Sequence, residues 1–122
     1  MNLFISHSWN YSGDYYRLKS LLENRGYFNF RNYSVENEDP KNNWTEIENN
    51  IKWSSIVIVI AGVYASYSSS IKKEIRLAQN HYKSTLAIIP WGSGRSSDLR
   101  NECDRVVGWN TESIVSAIRD LV

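Results

Sequence analysis

Apolar positions along this chain alternate between short unbroken runs and stretches that recur every three or four residues. Leu3-Phe4-Ile5 is the first run, and the polar cluster Ser6-His7-Ser8 ends it. From Ser12 the period turns helical: Tyr15, Leu18 and Leu22 recur, with Leu21 beside them. Ser12 suits an N-cap, Asp14 suits the positive end of a helix dipole, and Gly26 stands where a helix stops. Tyr27-Phe28-Asn29-Phe30 then reads as a short strand. Residues 34–43 hold almost nothing apolar and predict a long surface loop, a type often functional in compact domains. Asn43 with Glu46 resembles a capping box, and Trp44, Ile47 and Ile51 follow at helical spacing.

Ile56-Val57-Ile58-Val59-Ile60 is β-branched throughout and shows no alternation, so it predicts a central strand buried on both faces. After the Ser- and Tyr-rich residues 64–70, Ile71, Ile75, Ala78 and Tyr82 predict a third helix. Residues 85–89 form another apolar run, stopped by Pro90, and residues 91–100 read as a Gly/Ser/Arg loop. Val106-Val107 predicts a short last strand, and Thr111 is expected to cap a closing helix carrying Ile114, Val115 and Ile118. Strands alternating with helices predict an α/β fold: a five-stranded parallel sheet with helices on both faces, three layers in all. Ligands of such sheets bind at the carboxyl ends of the strands, where the strand order reverses. That rule directs attention to residues 6–10, 32–43, 62–70 and 90–100.

The length of 122 residues fits one compact domain, and 42% hydrophobic content is enough for a core. A balance of 14 Lys+Arg against 13 Asp+Glu offers no general attraction to nucleic acid or to an anionic membrane. The longest apolar run, residues 56–63, is too short to span a bilayer, and no secretory signal pattern opens the chain. A soluble protein in the cytoplasm is expected. The single Cys103 excludes an internal disulfide and any multi-cysteine zinc site. Five Trp and eight Tyr against three Phe would suit ligand grooves and interfaces, although filling a core is the plainer use for most of them.

Several chemistries fail on the residues themselves. No Walker A or G-x-G-x-x-G sequence occurs, and Gly92-Ser93-Gly94 lacks the strand-to-helix context of a phosphate cradle. A phosphoreceiver domain needs acids after the first strand, where this chain has Ser6, His7 and Ser8. His7 and His81 have no acidic or Cys companion at ligand spacing, so no metal site is expected. His81 reads as a solvated helix residue, whereas His7 fits a ligand contact and a turn residue equally well. Cys103 lies between Glu102 and Asp104, whose charges oppose a thiolate. Glu74 follows the loop that leaves the central strand, three residues after Ile71 and four before Ala78. That spacing sets it beside the buried stripe at the crevice margin. Periodicity alone favours the plainer reading, a flank acid near a helix N-terminus with Lys72, Lys73 and Arg76 as solvated neighbours.

Taken in order, these segments resemble a known family. Phe4-Ile5-Ser6-His7-Ser8 is similar to the first-strand motif of TIR domains, and Ile71-Lys72-Lys73-Glu74-Ile75 with Ala78 resembles the helix that carries their glutamate. More narrowly, several segments resemble the bacterial TIR-like domain of Thoeris antiphage systems, the ThsB type. They are Arg31-Asn32-Tyr33-Ser34-Val35, Ala61-Gly62-Val63-Tyr64, Pro90-Trp91-Gly92 and Val107-Gly108-Trp109-Asn110-Thr111. The resemblance runs in order over nearly the whole chain, residues 1–122 being one such domain.

The resemblance implies a flavodoxin-like fold and cleavage of NAD at the nicotinamide–ribose bond. It further implies a product derived from ADP-ribose (linear, cyclic or acceptor-linked) that signals to a separate effector in antiphage defence. NAD is then a substrate, and no cofactor or metal is implied. Self-association is expected on the same ground. By motif position Glu74 corresponds to the catalytic glutamate. Ile5, Ser6, His7, Ser8 and Trp9 correspond to the loop beside nicotinamide and ribose, Tyr33 and Ser34 to the start of the loop after strand two, and Ser70 borders the pocket. The chain departs from the family at Ser70, where many relatives have Trp, and at Asn32, where they often have Asp. Two other readings stand beside this one: a non-catalytic TIR-like interaction module, and an enzyme similar to nucleoside deoxyribosyltransferases.

Overall fold

A computed structural model describes residues 1–6, 13–34, 44–60, 69–89 and 102–122. Strands and helices alternate through β1 (Asn2–Ser6), α1 (Gly13–Asn24), β2 (Arg31–Asn32), α2 (Trp44–Trp53), β3 (Ile56–Ile60), α3 (Ser69–Asn80), β4 (Ser84–Ile89), β5 (Arg105–Gly108) and α4 (Thr111–Leu121). The five strands form one sheet in the order β2-β1-β3-β4-β5, and every pairing is parallel. From β1 the chain moves outward to β2, then returns past β1 to add β3, β4 and β5. The order therefore reverses between β1 and β3, whose carboxyl ends flank the crevice of a flavodoxin-like sheet.

Period-two alternation splits the strand residues between two cores. Leu3, Ile5, Ile56, Ile58, Ile60, Leu86 and Ile88 face one way, against Tyr15, Leu18 and Leu22 of α1 and Ile114, Val115 and Ile118 of α4. Phe4, Val57, Val59 and Ala87 face the other way, against Ile47 and Ile51 of α2 and Ile71, Ile75 and Ala78 of α3. All five residues of β3 are buried, as its unbroken apolar run predicts. Each fully buried Val or Ile there contributes roughly 1.5–3 kcal/mol relative to leaving it exposed. This face-by-face division makes the three layers.

Several local expectations are corrected. Tyr27-Phe28-Asn29-Phe30 is no strand: Gly26 and Tyr27 take left-handed φ values of 78° and 53°, and Tyr27 is 98% exposed. Phe28 instead drops into the α1/α4 core, and the pairing with β1 is made by Arg31 and Asn32. Tyr82 is not part of the α3 stripe. It sits beyond the helix at φ 56°, 97% exposed, where Lys83 N–H donates to Ala78 O and Tyr82 N–H to Gln79 O. Those two bonds make a Schellman motif, with Tyr82 in the position that glycine usually takes. The cap of α4 is Asn110 rather than Thr111: its backbone is extended and its side-chain oxygen accepts from Ser113 N–H at 3.0 Å. The expected caps at Ser12 and Asn43 lie outside the described residues.

The ends of the sheet are tied by side chains as well. Asp104 accepts from Thr85 N–H at 2.8 Å, and its own N–H donates to Thr85 Oγ1 at 3.0 Å, which fixes the start of β5 beside β4. His81 is half-buried and hydrogen-bonded through Nε2 to Glu48 of α2 at 2.9 Å, so it clasps two helices rather than lying on a solvated face. Among the described residues no helix is long and apolar enough to cross a membrane.

Candidate active site

Ser6 is the last residue of β1 and pairs in register with Val59 of β3, beside the point where the strand order reverses. Alternation directs its side chain, like that of Phe4, to the α2/α3 face, and it is 1% exposed. Glu74 reaches the same place from α3. The positions 71, 74, 75 and 78 form one helical stripe, and three of them are the apolar anchors that press α3 onto the sheet. Glu74 fills the fourth. At 5% exposure it occupies a core position, not the flank that spacing alone favours.

There the Ser6 hydroxyl donates a hydrogen bond to Glu74 Oε2, joining residues 68 apart in the chain. Burial pushes the Glu74 carboxyl up to about 8, and the hydrogen bond from Ser6 acts against that shift. Among the described residues no cation contributes to this balance. Lys72, Lys73 and Arg76 are exposed on the outer side of α3, and the Lys73 ammonium lies over the Trp44 ring at 4.1 Å. The carboxyl is thus desolvated and, among the described residues, held by one neutral donor. An acid so placed binds its proton near neutral pH in the resting protein and gives it up when positive charge arrives.

A second cluster joins β2 to β1 along the other edge of β1. Tyr33 N–H donates to Leu3 O at 2.8 Å, and the next ladder position is filled by a side chain: Ile5 N–H donates to Ser34 Oγ at 2.8 Å. The Ser34 hydroxyl donates to Asn32 Oδ1, which also accepts from Ser34 N–H at 3.0 Å. Asn32 Nδ2 donates to Tyr15 Oη at 2.9 Å. Both ends of the Asn32 amide are therefore used, and the donor end is one that an Asp at this position would lack. Asn50 Nδ2 of α2 donates to Tyr33 O at 3.0 Å, so the start of the loop after β2 is held from both layers.

Of the residues singled out in the sequence, Ser6 and Glu74 meet directly, while Ile5, Tyr33 and Ser34 belong to the neighbouring clasp. The Ile5 side chain lies in the α1/α4 core, so only its backbone faces that clasp. Ser70 stands in the first turn of α3, one turn before Glu74. His7, Ser8 and Trp9 lie outside the described residues, as do residues 35–43, 61–68 and 90–101. Sequence reasoning missed the roles of Asn32, Asn50 and Tyr15. The spacing Asn32-Tyr33-Ser34 carried the signal, since Asn accepting from the backbone two residues on is an Asx turn.

Two other places among the described residues lack this chemistry. Cys103 is buried, and its thiol is pushed up to about 11 chiefly by that burial, with Glu102 and Asp104 adding to the effect against a hydrogen bond with Thr85. Such a thiol is inert. An open groove of about 510 Å³ between α1 and the turn before α4 is lined by Tyr16, Arg17, Ser20, Leu21 and Trp109. It holds no acid. Among the described residues no group of three His, Cys, Asp or Glu side chains is placed to hold a metal ion.

Comparison with known proteins bears on the family and the fold. The sequence profile of a family described as Thoeris protein ThsB, TIR-like domain, matches residues 4–95, more than half of the chain. No curated protein matches. Among solved structures, the CMP N-glycosidase BcmB of Clostridium botulinum is similar at a TM-score of 0.64 and 14% identity, with 98% of each chain covered. At that identity the likeness is one of fold. The profile match over residues 4–95, on a parallel sheet with its reversal between β1 and β3, gives one assignment: the chain belongs to the TIR-like domain family of the Thoeris protein ThsB.

Proposed function

We propose that this protein is an NAD-consuming enzyme that cleaves the nicotinamide–ribose bond and releases an ADP-ribose-derived signal in Thoeris-like antiphage defence. The observation that carries the reading is Glu74, an ionisable side chain in a core position at the carboxyl ends of β1 and β3. Family membership supports it, and the fold shared with a CMP N-glycosidase supports N-glycosidic chemistry in general.

The reaction asks little of the protein beyond charge and position. When the bond between ribose C1′ and the nicotinamide nitrogen breaks, both electrons go to the ring, which leaves neutral. The ribose is left as an oxocarbenium-like cation. An ionised Glu74 stabilises that cation and then accepts the proton lost by the attacking water or hydroxyl. The positive nicotinamide ring, on binding, favours the ionised carboxylate that burial otherwise disfavours. In this scheme NAD is the substrate, no cofactor takes part, and a separate effector reads the product.

One observation favours a second reading. A carboxyl that titrates near 8 is protonated at neutral pH and suits a general acid for a neutral nucleobase, whose departure needs a proton. That reading makes the protein a nucleotide or nucleoside N-glycosidase. The two differ in sign. For NAD, kcat/KM rises with pH through the Glu74 titration; for a neutral base it falls. Mass spectrometry of NAD and of CMP incubated with the protein, with and without extract of phage-infected cells, decides between them. Loss of neither substrate leaves a non-catalytic interaction module as the better description.

A further inference from the structure

Two positions of the α2/α3 core call for hydrocarbon and do not have it. One is the last inward position of β1, where Phe4 would be followed two residues on by another apolar side chain; the chain has Ser6. The other is the 74 position of the α3 stripe, flanked by Ile71, Ile75 and Ala78. Each substitution of a polar for an apolar group costs stability, and a pair of well-packed hydrocarbons would serve the fold at least as well. The two polar groups are spent on each other. One carboxylate oxygen, Oε2, is occupied by the Ser6 hydroxyl, while Oε1 has no partner among the described residues.

The donor is rigidly mounted. β1 is bonded to β3 through the register Ser6↔Val59, and on its other edge Ile5 N–H is held by Ser34 and Leu3 O by Tyr33. A side chain on a strand so clasped is a fixed reference point against which a longer, more flexible glutamate can be oriented. Among the described residues no charged group acts on the Glu74 carboxyl. Lys72, Lys73 and Arg76 point outward from α3, and Glu48 of α2 is bonded to His81.

We propose that Ser6 is a positioning residue: its hydroxyl fixes Oε2 of Glu74 so that Oε1 is the oxygen presented to the ribose of the substrate. The role rests on the N-glycosidic function proposed above and reassigns Ser6 from touching the substrate to acting through Glu74. The donor bond also favours the ionised carboxylate, so its loss has a signature that a packing defect does not.

The test compares Ser6→Ala and Ser6→Thr with the wild-type protein by carbon NMR titration of the Glu74 carboxyl and by steady-state kinetics on the substrate the protein cleaves. Ser6→Ala is expected to move the Glu74 midpoint upward and lower kcat roughly tenfold, with KM changed less than about threefold. Ser6→Thr keeps the hydroxyl and restores both. An unchanged midpoint in Ser6→Ala overturns the proposal, as does an equal loss of kcat in the Ala and Thr variants. If the wild-type protein cleaves neither NAD nor CMP, the functional reading falls. The carboxyl titration then still decides whether Ser6 holds Glu74.

Discussion

The two faces of the sheet are built from the same alternating strands, yet they spend their interiors differently. On the α1/α4 side every buried strand residue is aliphatic, and the one polar tip, the Tyr15 hydroxyl, is taken by Asn32 at the rim. The buried polar side chains among the described residues, Ser6, Ser54, Glu74 and Thr85, all belong to the α2/α3 side. Ser54 and Thr85 are closed off locally, by Asn50 O and by Asp104. Among the described residues only the Ser6–Glu74 pair brings a carboxyl into the core, across the molecule. One face is thus a foundation, and the other holds the candidate site at the cost of some stability. The division is sharp enough to be broken by experiment.

The largest effect is expected on the foundation. Leu18 of α1 is fully buried against the sheet, and Leu18→Ala should destabilise the fold by about 3–5 kcal/mol through lost contact and a residual cavity. Urea unfolding measures it. The Glu74 titration of the molecules that remain folded should be unmoved, because no described group acting on that carboxyl lies on the α1/α4 side. A shifted midpoint would show that the faces are coupled and that the division is only geometric.

Next in size is the loss of catalysis on the other face. Glu74→Gln keeps the shape of the side chain and its acceptor for Ser6 but removes the charge that the proposed oxocarbenium-like transition state requires. The expected loss is on the order of 3 kcal/mol of transition-state stabilisation, or roughly a hundredfold in rate. Product formation from NAD, followed by mass spectrometry, measures it. Wild-type turnover in this variant would remove Glu74 from the reaction.

The same substitution has a consequence for stability, with a sign set by burial. In the folded protein the Glu74 carboxyl titrates near 8; in the unfolded chain it reverts to about 4.5. Between those values the folded state keeps a proton that the unfolded state has released, so folding is favoured most below about 4.5. That contribution is lost as pH rises through about 8. Glu74→Gln has no such titration. Its stability should match the wild type at acid pH and exceed it above pH 8, as read from thermal midpoints across the range. A flank acid would leave the two curves parallel.

How much of this was readable in the sequence depends on what each residue does. The β3 run was legible because a strand covered on both sides has no solvent face to interrupt it. The α3 stripe was legible too, and with it the position of Glu74, but periodicity cannot separate the flank of a stripe from its centre. That distinction needed the packing of Ile71 and Ile75 against the sheet. β2 was misread because its two residues are polar: an edge strand joins the sheet through backbone bonds alone, and the aromatic run before it serves the α1/α4 core instead. Ser6 as a partner of Glu74 could not be read at all. Nothing local links residues 68 apart until the register of β1 against β3 sets them side by side.

The smallest effect belongs to the closing helix, where two adjacent residues could each serve as cap. Asn and Thr both place an oxygen within reach of the first free N–H groups of a helix, so residues 110 and 111 are ambiguous in sequence. The structure chooses Asn110, whose backbone is extended at φ −143° and ψ 124° and whose Oδ1 accepts from Ser113 N–H. Asn110→Ala should therefore cost about 1 kcal/mol, while Thr111→Ala, inside the first turn, should cost less than about 0.5 kcal/mol. Both belong to the foundation face, because α4 packs on it through Ile114, Val115 and Ile118. Neither change should alter kcat or the Glu74 midpoint. Equal costs at the two positions would show that the cap is shared, and a catalytic effect of Asn110→Ala would show that the turn carrying Trp109 and Asn110 reaches the candidate site.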